Sequence, residues 1–210
     1  MTAELILAAG ESRRMGSPKA LLRYRGETFL DTLIGRFRAR CPEVIVVLGA
    51  GADAIRSGTA RAARFVVNPD WPMGMTTSLQ CGLRAVPAEA EGVLFTLVDH
   101  PAVSAATVDA LLAPPGAASS PPGIPLGIPP GIPLGIPLIR VPRYEGRRGH
   151  PIWFSRELIA EFLAIPETGA ARDVVRSHAA ETEFLDTDDP GILADIDDAE
   201  AYRKLTGAAV

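Results

Sequence analysis

The chain has 210 residues, 47% of them apolar, and a formal net charge of -4 at neutral pH. That length supports one substantial core, and an acidic balance with a pI near 5.4 speaks against a general nucleic-acid or membrane-surface binder. Cys41 and Cys81 stand alone, without a CxxC or His-rich neighbourhood, so neither a disulfide framework nor a zinc site is indicated; no basic segment followed by a long apolar run opens the chain, and a cytoplasmic location is expected.

In chain order, short apolar runs at Leu5 to Ala8, Val44 to Leu48, Phe65 to Val67 and Val93 to Val98 have the length and β-branched content of strands buried on both faces. Segments of helical period separate them. Phe29, Leu30, Leu33, Ile34 and Phe37 share one helix face, and Thr76 to Arg84 repeats the pattern more weakly. Leu138 to Val141 and Ile152 to Phe154 resume strand character, Arg156 to Leu163 and Asp173 to His178 read as helices, Glu183 to Leu185 as a short strand, and Ala199 to Leu205 as a closing helix. Strand and helix in regular alternation predict a single-domain, Rossmann-like α/β fold: a mostly parallel sheet with helices on both faces. Ligands of such sheets collect at the carboxyl ends of the strands, where Gly10, Asn68 and Asp99 fall.

Residues 114 to about 137 break this rhythm. Four tetrapeptides, GIPL, GIPP, GIPL and GIPL, begin at Gly123, Gly127, Gly131 and Gly135. Proline at every fourth position removes backbone donors and forbids a helix interior or central strand, so the segment reads as a low-complexity insertion in a surface loop.

The stretch Leu7 to Lys19, LAAGESRRMGSPK, carries the most chemistry. An apolar strand runs directly into a turn in which Ala8, Ala9 and Gly10 let the backbone approach a ligand; Ser12, Arg14 and Lys19 follow. Successive N–H groups and mobile cationic arms together suit a polyphosphate. The spacing is neither GxxxxGK[ST] nor GxGxxG, which disfavours a P-loop ATPase and a dinucleotide-binding Rossmann domain. Asp99 ends the strongest strand and is stopped there by Pro101. Beside a polyphosphate, its natural use is to hold Mg²⁺. His100 reads as a wall residue of the crevice, imidazole being a poor match for that ion. Asp195, Asp197, Asp198 and Glu200 open the last helix, where acidic residues ordinarily cap and complement the dipole.

Taken together, LAAGESRRMGSPK resembles the LAAGxSxRMGxxK signature of the MobA-like NTP transferases. Asn68 to Leu79 is similar to the NPxWxxGMxxSL segment of that family, Asp195 to Glu200 to its D-[IV]-D-[TS]-P-E-D closing motif, and Arg143 to Pro151 to the RYxGRRGHP signature of the molybdenum cofactor cytidylyltransferase branch. The closing motif departs from the pattern at Asp198 and Ala199. The resemblance implies a fold of the nucleotide-diphospho-sugar transferase type and transfer of CMP from CTP to molybdopterin, with loss of pyrophosphate. It assigns Leu7, Ala8, Ala9, Gly10, Ser12, Arg14, Lys19, Asn68, Gly74 and Ser78 to the nucleotide, and Arg14, Lys19 and Asp99 to catalysis. It assigns Asp99 and Asp197 to Mg²⁺, and Arg147, Arg148 and His150 to the acceptor; a molybdoenzyme is the implied transient partner. Family members that use GTP read LAGG at the first turn, so the Ala9 methyl is the expected determinant of a pyrimidine.

Three alternatives remain open. A sugar-phosphate nucleotidylyltransferase shares the phosphate loop and Asp99 but has no use for the GRRGHP segment. An NAD(P)H-dependent oxidoreductase of the nicotine blue type needs a nicotinamide site. A non-catalytic cofactor-delivery chaperone needs neither aspartate.

Overall fold

The computed structural model describes residues 1–114, 136–166 and 169–207. The proline-rich segment expected at 114–137 falls, but for its ends, outside these residues. In chain order the elements are β1 (Thr2–Ala8), the short pair β2 (Arg23–Tyr24) and β3 (Glu27–Thr28), α1 (Phe29–Arg38), β4 (Glu43–Leu48), α2 (Ala52–Gly58) and β5 (Arg64–Val67). They continue as α3 (Met75–Leu83), β6 (Gly92–Leu97), α4 (Ala105–Leu112), β7 (Ile139–Tyr144), β8 (Arg147–Arg148), β9 (Ile152–Ser155), α5 (Ile159–Ala164), α6 (Ala171–Ser177), β10 (Thr182–Asp186) and α7 (Ala199–Thr206).

The main sheet runs β10-β7-β9-β6-β1-β4-β5, with β8 hairpinned onto β7. β1 lies between β4 and β6 and is parallel to both, Leu5 facing Ile45 on one side and Phe95 on the other. The mostly parallel sheet expected from the strand–helix alternation is therefore present. Two strands depart from it: β9 is antiparallel to both β6 and β7, and the short β8 is antiparallel to β7.

The pleat sorts the core. Ile6 and Ala8 of β1 pack with Phe29, Leu33 and Phe37 of α1 and Val108 and Leu111 of α4. Leu5 and Leu7 pack on the opposite face with Leu79 and Leu83 of α3, Phe162 of α5 and Val174 of α6. Each fully buried Phe or Leu contributes about 1.5–3 kcal/mol, so helices are fastened on both sides. At the start of α1 the Thr28 hydroxyl accepts from the Asp31 amide at 2.9 Å and donates to the Asp31 carboxylate at 2.7 Å. That carboxylate also accepts from the Ala60 and Arg61 amides, tying α1 to the loop after α2.

α2, α4 and the β2–β3 pair go beyond the elements expected from periodicity. α2 spans seven residues and is entered through Gly51 without a side-chain cap, so it offers little pattern. α4 has a cap that the sequence displays, since Ser104 Oγ accepts from the Thr107 amide at 3.2 Å.

A close approach fixes the wall of the cleft that forms above β1. A methyl group built on Gly49 would lie 2.6 Å from the Ala9 carbonyl oxygen and 2.7 Å from Trp71 Cβ. Gly49→Ala is therefore expected to cost about 1–3 kcal/mol, which denaturant unfolding of the variant checks.

Candidate active site

The carboxyl ends of β1 and β6 open into a cleft of about 500 Å³. Leu7, Ala8, Ala9, Gly10, Ser12, Arg14 and Lys19 line one side of it, Trp71, Pro72, Gly74, Met75 and Ser78 another, with Asp99 and Asp197 between. The first turn is held open by two residues in the left-handed region, Ser12 at φ 55° and Gly16 at φ 67°, on either side of a single 3₁₀ turn, Arg13–Met15. Positive φ is uncommon outside glycine, and here the small Ser12 side chain has a structural role. Its hydroxyl accepts from the Lys19 amide at 3.0 Å, closing the base of the loop and aiming Lys19 inward.

Lys19 is at the centre of the charge. Its ammonium donates to Asp99 Oδ2 at 3.1 Å and to Asp197 Oδ1 at 2.5 Å. Arg14 reaches Asp197 Oδ2 at 3.4 Å from a more exposed position. The Ile196 amide donates to the Asp99 carbonyl at 3.1 Å, so the acidic segment is moored to the end of β6 by backbone. Burial works against the charge on Lys19, but hydrogen bonding to Asp197 and the charge of Asp99 prevail and raise its pKa. The hydrogen bond from Lys19 lowers the pKa of Asp197. Asp195 is pushed up to about 6 by desolvation and by the neighbouring carboxylates Asp99 and Asp197.

Asp99 uses only one of its oxygens. Oδ1 is buried without a hydrogen-bond partner, and one donor atom from each of Asp99, His100 and Asp195 lies within 4.8 Å of the others. An orphaned carboxylate oxygen inside such a donor set fits a divalent cation. His100, expected in the crevice wall, is buried and does not line the cleft; it belongs to this cluster instead, and Asp195 joins it. The only sequence signal for Asp195 is its position two residues before Asp197.

The other expected site residues fall in three places. Gly74, at φ 117°, gives α3 a start that a side chain would strain, and Ser78 lines the cleft. Asn68 is buried and does not line it: its amide donates to the Thr77 and Ser78 hydroxyls at 3.0 Å each, and its carbonyl accepts from the Asp70 amide at 3.0 Å. Asn68 therefore shapes the start of α3 from below. Arg147 and Arg148 are exposed on β8, with the Arg148 guanidinium 4.6 Å from the centre of the Phe184 ring. His150 is separated from them, packing on His100 with ring centres 5.0 Å apart and edge-on to Phe95 at 5.5 Å. Burial and the neighbouring His100 lower its pKa to about 4, and burial also lowers that of His100. Asp198 caps α7 by accepting from the Ala201 amide at 2.8 Å.

A cleft with clustered cations at one end and Trp71, Pro72 and Met75 along its side suits a nucleoside triphosphate, and the class that fold and site define is the nucleotidyltransferases. The chain belongs to the MobA-like NTP transferase domain family, which matches residues 5–182. It is 33% identical over 207 residues to the nicotine blue oxidoreductase of Paenarthrobacter nicotinovorans, covering 96% of this chain and 94% of that protein. With the molybdenum cofactor cytidylyltransferase of Escherichia coli K12 it shares 33% identity over 87 residues, 40% of this chain and 45% of that protein. The crystal structure of Rv0371c from Mycobacterium tuberculosis superposes with a TM-score of 0.79 at 29% identity, over 99% of this chain and 98% of that one. No helix among the described residues is long and apolar enough to cross a membrane.

Proposed function

We propose that the protein transfers CMP from CTP to a molybdopterin-type cofactor, releasing pyrophosphate. The observation that carries this reading is the Lys19 ammonium bridging Asp99 and Asp197 at the mouth of the phosphate turn, with Arg14 beside it. The terminal phosphate of the acceptor attacks the α-phosphorus of CTP, and the bond to the pyrophosphate oxygen breaks. An anionic nucleophile of this kind needs no covalent enzyme intermediate, so the protein's work is alignment and charge neutralisation.

The turn at Gly10 presents backbone donors to the triphosphate, and Arg14 and Lys19 take up the charge that develops on the leaving pyrophosphate. Mg²⁺ accompanying the triphosphate would add Lewis-acid charge, with Asp99 and Asp197 as its carboxylate ligands. Gly74 and Ser78 border base and ribose, with Asn68 supporting them from the core. Arg147 and Arg148 supply exposed guanidinium groups for the acceptor's phosphate, whereas His150, expected beside them, packs on His100 and Phe95. Product then passes to a molybdoenzyme in the cytoplasm.

Thermal stabilisation by CTP, GTP, ATP and UTP with Mg²⁺, followed by pyrophosphate release on adding molybdopterin cofactor, tests the reading. CTP is expected to stabilise most; a preference for ATP or UTP would redirect it to a sugar phosphate acceptor. Ala9→Gly is expected to relax the base choice toward GTP, and unchanged discrimination would remove Ala9 as the determinant. A second reading, reduction of a nicotine blue type dye, draws on the nearly full-length similarity to the Paenarthrobacter protein. It requires stronger stabilisation by NADPH than by Mg²⁺ with CTP.

A further inference from the structure

A second cavity, of about 580 Å³, lies between the β2–β3 pair, α1, the start of α4 and the segment before α7, and shares no lining residue with the nucleotide cleft. Arg25 and Arg36 line it, and neither has an ion-pair partner among the described residues. Arg36 is half-buried, and its Nη1 donates to the Pro101 carbonyl at 2.9 Å and to that of Val103. Its Nε and Nη2 have no hydrogen bond, and neither is sealed from solvent. Burial works against the Arg36 charge and lowers its pKa. The carboxylate in the wall, Asp189, accepts from the Ser104 amide and the Thr107 hydroxyl at 2.7 Å each and from the Gly191 amide at 2.9 Å. Its oxygens are engaged there and pair with neither arginine.

Arg25 enters from a strained turn. β2 and β3 are joined by Arg25 and Gly26 alone, at φ 52° and 92°, a hairpin turn whose first position favours Asn, Asp or Gly. An arginine in the left-handed region persists only where its surroundings hold it; here its guanidinium lies 5.0 Å from the centre of the Tyr24 ring, which lines the same cavity. The amino end of α4 opens into this space through Ser104 and Ala105, and its dipole favours a negative charge. Ala105, Pro190 and Leu205 give the remaining wall an apolar character.

We propose that this cavity binds a small organic anion, its carboxylate or phosphate held between Arg25 and Arg36 and its apolar body against Tyr24 and Leu205. Guanidinium groups recognise either oxyanion through paired N–H donors. An anion supplies the partner that both arginines lack, and the volume lies within the range usual for small-molecule sites.

The test follows backbone amides by NMR in the full chain, free of nucleotide, titrated at fixed ionic strength with phenyl phosphate, benzoate, inorganic phosphate and benzyl alcohol. Phenyl phosphate or benzoate is expected to saturate shifts at Gly26, Ala105 and Gly191 about tenfold more tightly than inorganic phosphate does, with no saturation by benzyl alcohol. The tighter of the two tells phosphate from carboxylate. Arg25→Gln and Arg36→Gln are each expected to weaken that binding about tenfold. Arg36 also holds two carbonyls, so Arg25→Gln, which breaks no hydrogen bond, decides the matter if Arg36→Gln fails to fold. Arg14→Gln, on the phosphate turn, is expected to leave these shifts within about twofold in affinity, which separates the cavity from anions drawn to the cleft. Absence of saturable shifts at those amides, equal affinity for inorganic phosphate or benzyl alcohol, unchanged affinity in Arg25→Gln, or a loss in Arg14→Gln matching that in Arg25→Gln would overturn the assignment. Because no nucleotide is present, the outcome is independent of the CTP reading, which is decided by the nucleotide melts.

Discussion

Replacing Asp99 by alanine is expected to lower Mg²⁺-dependent nucleotidyl transfer by about 10³-fold while the protein remains folded. The size follows from how much converges on one carboxylate. Oδ2 accepts from Lys19, Oδ1 faces the His100 and Asp195 donors, and the backbone carbonyl receives the Ile196 amide that moors the acidic segment. The substitution removes the first two and leaves the third. Lys19 stays paired with Asp197 at 2.5 Å, so no buried cation is stranded and the fold is preserved. Asp99→Asn separates geometry from charge, since it keeps an oxygen able to accept from Lys19. An activity nearer to that of the alanine variant than to wild type would show that charge is what matters. Full transfer activity in Asp99→Ala, measured as pyrophosphate release, would remove the carboxylate from the reaction.

Glu4→Leu is expected to stabilise the protein, increasingly so as pH rises. Glu4 lies in β1 between Val44 and Leu94, fully buried, with neither carboxylate oxygen hydrogen-bonded. Burial pushes its pKa well above the ordinary value of 4.5. The folded chain therefore holds a proton that the unfolded chain has released above pH 4.5, and stability falls with rising pH until the folded carboxyl itself ionises. Exchanging a buried, unpartnered acid for an alkyl group is worth about 2 kcal/mol near neutrality. For a chain of this size that corresponds to about 4–8 °C in melting temperature. The gap between Glu4→Leu and wild type should widen from about pH 5 to about pH 9; a constant gap across that range would mean that Glu4 does not titrate in the core. Cys41 reports the same environment, its thiol raised to about 12 by burial and then by the charge of Glu4.

Among the elements, those with strong local patterns were legible. The apolar runs of β1, β4 and β6 and the one-sided period of α1 announce themselves because burial on two faces, or on one, imposes a composition. α2 and the β2–β3 pair were not, being too short for a period to register. β9 reads as a strand but not as an antiparallel one, since direction is set by its partners.

The sequence by itself determined a strand ending in a small-residue turn followed by Arg14 and Lys19, a carboxylate at the end of another strand, and membership of a transferase family, because each depends on residues adjacent in the chain. Only the tertiary structure decided which groups those residues meet. Lys19 joins Asp99 to Asp197, Asn68 supports the cleft from below instead of lining it, and His150 leaves Arg147 and Arg148 to pack on His100. Asp195 approaches Asp99 and His100 because one backbone hydrogen bond, from Ile196 to Asp99, crosses between segments remote in sequence. Hydrophobic burial brings such segments together without regard to their separation along the chain, so no local pattern records the contact.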